Sequence, residues 1–313
     1  MTAHKPFLSY DQQIDKLVSE KNLTISNRQY AVDTLKQLSY YTLISGYKEL
    51  FKNPTTKKYK DGTTFEEIVA LYGFDKSLRE LLLKYLLVFE IKMKSLLSYY
   101  FTEHFGENQS QYLSITNYSP DPSKARDITY LVSILEGLAL RSNDYGFITY
   151  HRNKYGNVPL WVLIRVLTFG NISHFYDCLT HALQSKISKD FESVKEKELC
   201  QYLRALTKFR NACAHNDRLF SYRIKDDIPD TPLHKKLGIQ MKGSQYLQGK
   251  KDLFSVVVAL RYLLPKSEFY EFKRKLSLVI ERFMNSTVHV TQNELLVQMG
   301  FPSNWKKVSA YKI

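Results

Sequence analysis

Between Leu78 and Tyr100, the apolar residues Leu78, Leu82, Tyr85, Phe89, Met93, Leu96 and Tyr100 recur at steps of four and three. At about 100° per residue such a series lines one side of an α-helix, and a helix of this length buries its stripe against other helices. The spacing predicts one helix over roughly 74–104, ended by Gly106, as the backbone of the main domain. Lys84, Glu90, Lys92 and Lys94 interrupt its apolar run, so it reads as amphipathic and not as a membrane span.

The flanking sequence continues in helical period. Ser9 with Gln12 three residues later forms a capping-box pattern ahead of Ile14, Leu17 and Val18, and Ser26 or Asn27 caps a second helix. The polar stretch 52–64, with Pro54 and an Asp61-Gly62 turn, reads as a linker with solvated lysines. Another helix follows over 127–141, and the next starts near Asn157 and Pro159. In that segment Trp161, Ile164, Leu167 and Phe169 are expected to be buried, with a break or tight contact at Gly170-Asn171. Ser188 or Asp190 opens a long helix, expected to join an antiparallel bundle. Beyond Arg223 the chain turns loop-like before helices at 252–264 and 266–285 and a closing segment that docks Trp305 back. No strand alternation of any length appears, and glycine (12) and proline (9) are sparse, which favours long helices. The reading is an all-α fold in three parts: a helical module with a basic linker (1–64), a helical core (65–225) and a C-terminal extension (226–313).

The formal net charge of +14 favours a polyanionic partner, nucleic acid first. Three cysteines, Cys178, Cys200 and Cys213, show no CxxC spacing, so neither a disulfide framework nor a thiolate metal site is expected. With no apolar run at the N-terminus to suggest a signal peptide, a cytoplasmic protein is expected. P-loop, GxGxxG and HExxH patterns are missing from the sequence, and no cofactor is expected.

The stretch 201–220, QYLRALTKFRNACAHNDRLF, carries the chemistry. Read as one helix, it buries Tyr202, Leu206, Phe209 and Cys213 and turns Asn211 and His215, four apart, to another face beside Arg204 and Lys208. Arg210 lies on the flank between. Cleaving RNA without a metal requires a group to take the 2′-OH proton, a group to protonate the leaving 5′-oxygen, and positive charge on the non-bridging oxygens. Histidine titrates near neutrality and can serve either proton transfer. The Arg210 guanidinium matches phosphate oxygens with paired hydrogen bonds, and Asn211 can orient the imidazole or bind an oxygen. The bare spacing carries little weight, since Arg282 and His289 supply a second arginine–histidine pair in a non-helical setting. Local charge adds to it: residues 201–251 hold eleven Lys and Arg against four Asp and Glu. Arg204, Lys208, Arg218, Arg223 and Lys225 are the candidates for holding an RNA backbone, and Tyr222 and Phe220 for stacking on a base, Phe220 being better suited to packing.

The RNACAH segment resembles the R-N-x3-H signature of HEPN ribonucleases. The wider chain resembles the bacterial abortive-infection (Abi) family of AbiD/AbiF type, through KPFLSYDQQIDKLVSEKNLTI, LKQLSYYTLISGYKELF, FEEIVALYGFDKSLRELLL, VPLWVLIRVLTFGNISHFY and GFPSNWKKV, in that order. The resemblance implies a helical HEPN-type bundle and metal-independent cleavage of single-stranded RNA. It also implies a homodimer whose composite site takes one motif from each chain, and a role in phage defence held in check by an antitoxin or small RNA. It puts Arg210, Asn211 and His215 in catalysis and Glu90 at a supporting position. The residues alone leave Glu90 open between orienting Arg210 and a structural salt bridge. Asp75 and Arg79 read as an ordinary i,i+4 pair, and His174 and His181, two helical turns apart, lack the further ligands of a metal set. A non-catalytic module that holds a small RNA in the same basic groove is the alternative.

Overall fold

A computed structural model describes residues 6–312 and shows a helical protein. Residues 1–5, part of the N-terminus read for a leader run, lie outside the described residues. Helix α1 (Tyr10–Ser19) opens on the expected capping box, Ser9 and Gln12 exchanging side-chain bonds with each other's N–H. Asn27, not Ser26, caps α2 (Arg28–Leu38) by accepting the Tyr30 N–H at 2.9 Å. Ser39 then takes a positive φ of 58°, and the chain continues as a π turn (Tyr41–Ser45) and a 3₁₀ turn (Glu49–Phe51) instead of an α-helix.

Helix α3 (Phe65–Phe105) is 41 residues long and starts well before position 74. A capping box explains the early start: the Thr64 side chain accepts the Glu67 N–H, and Glu67 Oε2 accepts the Thr64 N–H. Of the expected stripe, Leu78, Leu82, Tyr85, Phe89 and Met93 are buried, but toward the C-terminus burial passes to Leu97 and Phe101. Leu96 and Tyr100 are half-buried there, the Tyr100 hydroxyl donating to the Asp190 carboxylate at 2.7 Å. Burial around much of its circumference lets several helices pack on α3.

The chain after α3 supplies helices α4 to α10, of which the last four pack on it. Helices α4 (Gln109–Leu113), α5 (Ala125–Glu136) and α6 (Gly146–Tyr155) form an outer group, while α7 (Leu160–Leu163), α8 (Phe169–Cys178) and α9 (His181–Ser188) contact α3 directly. Helix α10 (Glu196–Ala214) lies against α3, α8 and α9. Three local expectations are corrected. Trp161 is 48% exposed, because Val162 and Leu163 face the core in its place, whereas Ile164, Leu167 and Phe169 are buried as expected. Gly170-Asn171 is not a break: Asn171 closes a capping box with Thr168 at the start of α8, and the chain bends one step earlier. Ser188 ends α9 instead of opening the motif helix, which starts at Glu196 after a separate turn, with Glu198 reaching back to the Lys195 N–H at 2.8 Å. His174 and His181 accordingly fall on different helices, one near the Asp127 carbonyl and the other near Glu196.

The C-terminal part comprises α11 (Pro232–Lys236), a small hairpin of β1 (Met241–Lys242) and β2 (Gln245–Tyr246), α12 (Leu253–Leu263), α13 (Lys266–Met284) and α14 (Gln292–Met299). The hairpin, too short to register as an alternating pattern, is its one departure from helix and loop among the described residues. Every residue of α12 is buried, and α13 packs along α3. Gly300 is required where α14 ends: its φ is +78°, and a Cβ there would lie 2.2 Å from Cγ of Asp252, the residue capping α12. Trp305 packs edge-on against Phe301 and is 1% exposed, so the closing segment docks as expected.

The stretch 52–64 is tied at several points. Tyr59 and Thr63 are buried, and the Lys60 ammonium donates to the His289 carbonyl and to Glu294. Glu67 takes bonds from the Thr287 hydroxyl and the Val288 N–H, and His289 Nδ1 lies 2.8 Å from its other oxygen. His289, the partner in the second arginine–histidine spacing, is thereby placed as a strap residue. Burial pushes the Glu67 carboxyl up, but the bonds from Thr287, Thr64, Val288 and His289 outweigh it and bring it down to about 2, against an ordinary value of 4.5. A depressed folded-state pKa means the tie is at full strength above 4.5 and is lost as pH falls toward 2. Hydrogen exchange at the Val288 and His289 amides, corrected for intrinsic rates, should accelerate across that window, and Glu67→Gln should remove most of the acid-dependent part.

Candidate functional site

Helix α10 divides its surface as the spacing predicts. Tyr202, Leu206, Phe209 and Cys213 are buried, and burial pushes the Cys213 thiol up to about 12, so it stays protonated at neutral pH. The helix does not run to 220. Ala214 is its last residue, His215 is the C-cap and Asn216 sits in the left-handed region at φ 57°. The Asp217 N–H donates to the Ala212 carbonyl at 3.0 Å and the Asn216 N–H to the Cys213 carbonyl at 3.4 Å, the paired bonds of a Schellman ending. Asparagine tolerates this conformation better than other side chains, so Asn216 is the sequence signal that the stretch must turn.

Arg210 points toward α3. Its Nε lies 3.9 Å from Glu90 Oε2, while Glu90 Oε1 accepts from the Lys94 ammonium at 2.9 Å. Neither Glu90 Oε2 nor Arg210 Nε has a hydrogen-bond partner, and no bond within the chain engages the two terminal guanidinium nitrogens among the described residues. Glu90 thus holds Arg210 by charge and leaves the planar end of the guanidinium open. Asn211 and His215 are exposed, and neither side chain is hydrogen-bonded within the described residues. Positions 210 and 214 share one side of the helix, and 211 and 215 the next. Arg210, Asn211 and His215 therefore surround Ala214, an exposed methyl and the smallest floor a side chain can give.

Beyond His215 the chain runs over a buried polar cluster. Asp75, fully buried on α3, accepts from the Tyr47 hydroxyl at 2.7 Å, the Arg79 guanidinium at 2.5 Å, and the Leu219 and Phe220 N–H groups at 3.1 and 2.6 Å. Arg79 also reaches the Asp217 carbonyl at 3.3 Å. The pair that read as an ordinary i,i+4 contact is the anchor of the post-motif loop. Its signal was two opposite charges a turn apart, Asp75 next to the apolar Phe74 and Arg79 next to Leu78 of the core stripe.

This anchoring opens a cleft of about 600 Å³ between the π turn of residues 41–45 and the loop. Tyr41, Thr42, Asn216, Arg218, Tyr222 and Arg223 are among its walls. Arg218 donates to the Gly46 carbonyl and Arg223 to the Gln298 carbonyl, so both are fixed by backbone, and neither forms a salt bridge among the described residues. Phe220 stacks on Tyr47 in the core, and Tyr222 lies edge-on to Phe209 with a face on the cleft. Of the other expected RNA contacts, Lys225 is exposed, whereas Arg204 pairs with Asp177 at 2.7 Å and Lys208 with Asp226. The Asp177 carboxyl, pushed up by burial, is brought below its usual range by Arg204, Cys200 and Lys124. The structure sets Arg210, Asn211 and His215 at the end of α10, Arg218 and Arg223 on the wall of the cleft beyond it, and Arg204 and Lys208 further back along the helix.

A family model described as Abi-like protein matches residues 33–221, more than half of the chain. The chain belongs to the Abi-like protein family. Membership points to abortive infection, a form of phage defence. No curated protein and no solved structure matches the chain. The family match covers α3, the motif and the loop that Asp75 anchors. Among the described residues of this Abi-like protein, no helix is long and apolar enough to cross a membrane, and no group of three or more His, Cys, Asp or Glu is placed to hold a metal ion. Asp75→Ala should leave Arg79 buried without its counter-charge, a change that typically costs about 3–5 kcal/mol. Urea unfolding should register that loss, together with faster exchange of the Leu219 and Phe220 amides.

Proposed function

We propose that this Abi-like protein is a HEPN-type endoribonuclease that cuts single-stranded RNA by attack of a ribose 2′-OH on the adjacent phosphorus. The observation that carries the reading is the open guanidinium end of Arg210, held by Glu90, beside the unengaged Asn211 and His215 around the Ala214 floor. A phosphate resting on Ala214 meets two parallel N–H donors of Arg210, which stabilise the charge that builds on its non-bridging oxygens. His215 takes the 2′-OH proton or delivers one to the leaving 5′-oxygen, and Asn211 orients the imidazole or binds an oxygen. Arg218, Arg223 and Lys225 hold the flanking backbone, a role that positions the strand without reading its sequence.

One histidine can perform one of the two proton transfers at a time, so the reading includes a homodimer in which a second copy supplies the other. Leu87 and Ile91, exposed on α3 next to Glu90, give that association an apolar margin beside the motif. The reaction asks for no metal, and the defence role follows from the family. An antitoxin or small RNA is the expected restraint.

A second reading, a non-catalytic module that holds a small RNA, is favoured by one fact: His215 has no orienting hydrogen bond within the described chain. The two readings separate cleanly. Purified protein should cut single-stranded RNA in excess EDTA and leave 2′,3′-cyclic phosphate ends. His215→Ala should lower the rate by about 10²-fold or more while RNA affinity and thermal unfolding stay unchanged. Ala214→Leu should also abolish cutting, by filling the phosphate floor, and should change stability by less than about 0.5 kcal/mol because the site is exposed. Full activity in the His215→Ala variant would remove the nuclease reading; salt-sensitive binding with no cleavage by the wild type would establish the second.

A further inference from the structure

Helix α6 and the turn that follows it present a surface that the motif does not use. Phe147, Tyr150 and Lys154 recur at three and four along α6, and Tyr155 stands beside them. Tyr150 is 51% exposed and Tyr155 57%. Their rings sit 6.0 Å apart edge-on, and the Lys154 ammonium, 5.1 and 5.2 Å from the two ring centres, donates to the Tyr150 hydroxyl at 2.6 Å, at the edge of that ring, so its face stays open. At the other end the Arg165 guanidinium lies 5.1 Å from the ring centre of Phe147, and Trp161, a helical turn before Arg165, is also half exposed. Residues 145–165 contain Arg152, Lys154 and Arg165 and no acidic residue.

A ledge of exposed rings with cations beside them and no carboxylate among residues 145–165 suits a polyanion with flat faces. That combination is the chemistry of an unpaired nucleic-acid strand, whose bases stack on rings while its phosphates meet the cations. Paired bases keep their faces covered, so a duplex gains the charge but not the stacking. The ledge is also continuous with the motif. The Lys94 ammonium that pairs with Glu90 donates to the Arg165 carbonyl at 3.3 Å, and Glu90 faces Arg210.

We propose that the α6–α7 ledge, with Tyr150, Tyr155 and Trp161 as stacking platforms and Lys154 and Arg165 as phosphate contacts, binds unpaired RNA and leads it toward Arg210. The proposal deepens the nuclease reading by naming the substrate as a strand open on both sides of the scissile bond. It rests on that reading only for the direction of the strand; binding to the ledge is measured without cleavage.

The chain has two tryptophans, and Trp305 is 1% exposed, so Trp161 reports on the ledge alone. An oligouridylate of about twelve nucleotides, titrated into full-length His215→Ala protein, should quench Trp161 fluorescence; the same strand annealed to oligoadenylate should not. Tyr150→Leu and Trp161→Leu should each weaken oligouridylate binding by roughly tenfold in a fluorescence-anisotropy assay that does not depend on tryptophan. Circular dichroism should show both variants folded, and Lys154→Gln, fully on the surface, should reduce the salt dependence of binding if either apolar variant misfolds. Unchanged affinity in the folded variants, or quenching by the duplex equal to that by the single strand, would overturn the proposal. So would a Trp161→Leu variant whose loss is of self-association in sedimentation, with RNA affinity intact, since that result makes the ledge a contact between copies. Cleavage by the wild type is scored separately: ledge binding without cutting removes the nuclease, and cutting with a silent ledge removes this proposal.

Discussion

A buried carboxylate decides where the candidate site lies. Asp75 has no solvent contact, and an isolated charge in that position would be untenable. It is tolerated because four donors converge on it: one from the N-terminal module (Tyr47), one from its own helix (Arg79) and two from the backbone after the motif (Leu219 and Phe220). Three distant parts of the sequence therefore meet at one pair of oxygens. The carboxylate has its full set of donors only when all three parts are in place, which makes the cluster a register device as much as a source of stability. The position of the loop, the cleft beside it and the cations on its wall all follow from that meeting.

The loop can reach Asp75 because α10 stops where it does. The left-handed turn at Asn216 ends the helix with its last carbonyls satisfied and sends the chain back across α3. If the helix continued to 220, Leu219 and Phe220 would spend their N–H groups on the carbonyls four residues before them and Asp75 would lose two of its partners. The same turn leaves the end of α10 uncovered, so Ala214, His215 and Asn216 face solvent with nothing laid over them. Anchoring the loop and exposing the motif are consequences of one local conformation.

Much of this was legible in the sequence. The stripe from Leu78 to Met93 lies where its period placed it, the capping box at Ser9 formed, and the buried face of α10 contains the four residues that spacing selected. These are local statements, settled by neighbours within two turns. What periodicity missed required a partner far along the chain or a competing local choice. The early start of α3 was encoded by Thr64 and Glu67, inside a stretch whose lysines and Asp61-Gly62 turn suggested a linker. Trp161 was expected in the core with Ile164, Leu167 and Phe169, yet neighbouring Val162 and Leu163 occupy that direction. Asp75 and Arg79 read as an ordinary i,i+4 pair because spacing shows which residues can touch, not which distant segments join them. For the motif, the division between Cys213 and Asn211 was readable, while the approach of Arg210 to Glu90, left open in the sequence, depended on a helix more than a hundred positions earlier.

Charge shows the same passage from composition to place. The basic excess of residues 201–251 is a property of a segment, and a segment is not a site. Folding sorts its members. Arg204 and Lys208 meet Asp177 and Asp226, while Lys250 and Lys251 meet Asp230 and Asp227. The exposed Lys208–Asp226 pair contributes little to stability, but with Arg204–Asp177 it cancels charge that would otherwise attract anions along α10. Arg218 and Arg223 are held by carbonyls, which fix the guanidinium without neutralising it. Glu90 divides its single charge between Lys94 and Arg210, so that pair of cations keeps a net positive charge. Of the segment's cations on α10, Arg204, Lys208 and Arg210, what remains unpaired is the planar end of Arg210, so the positive charge left on that stretch of the helix sits toward its C-terminal end.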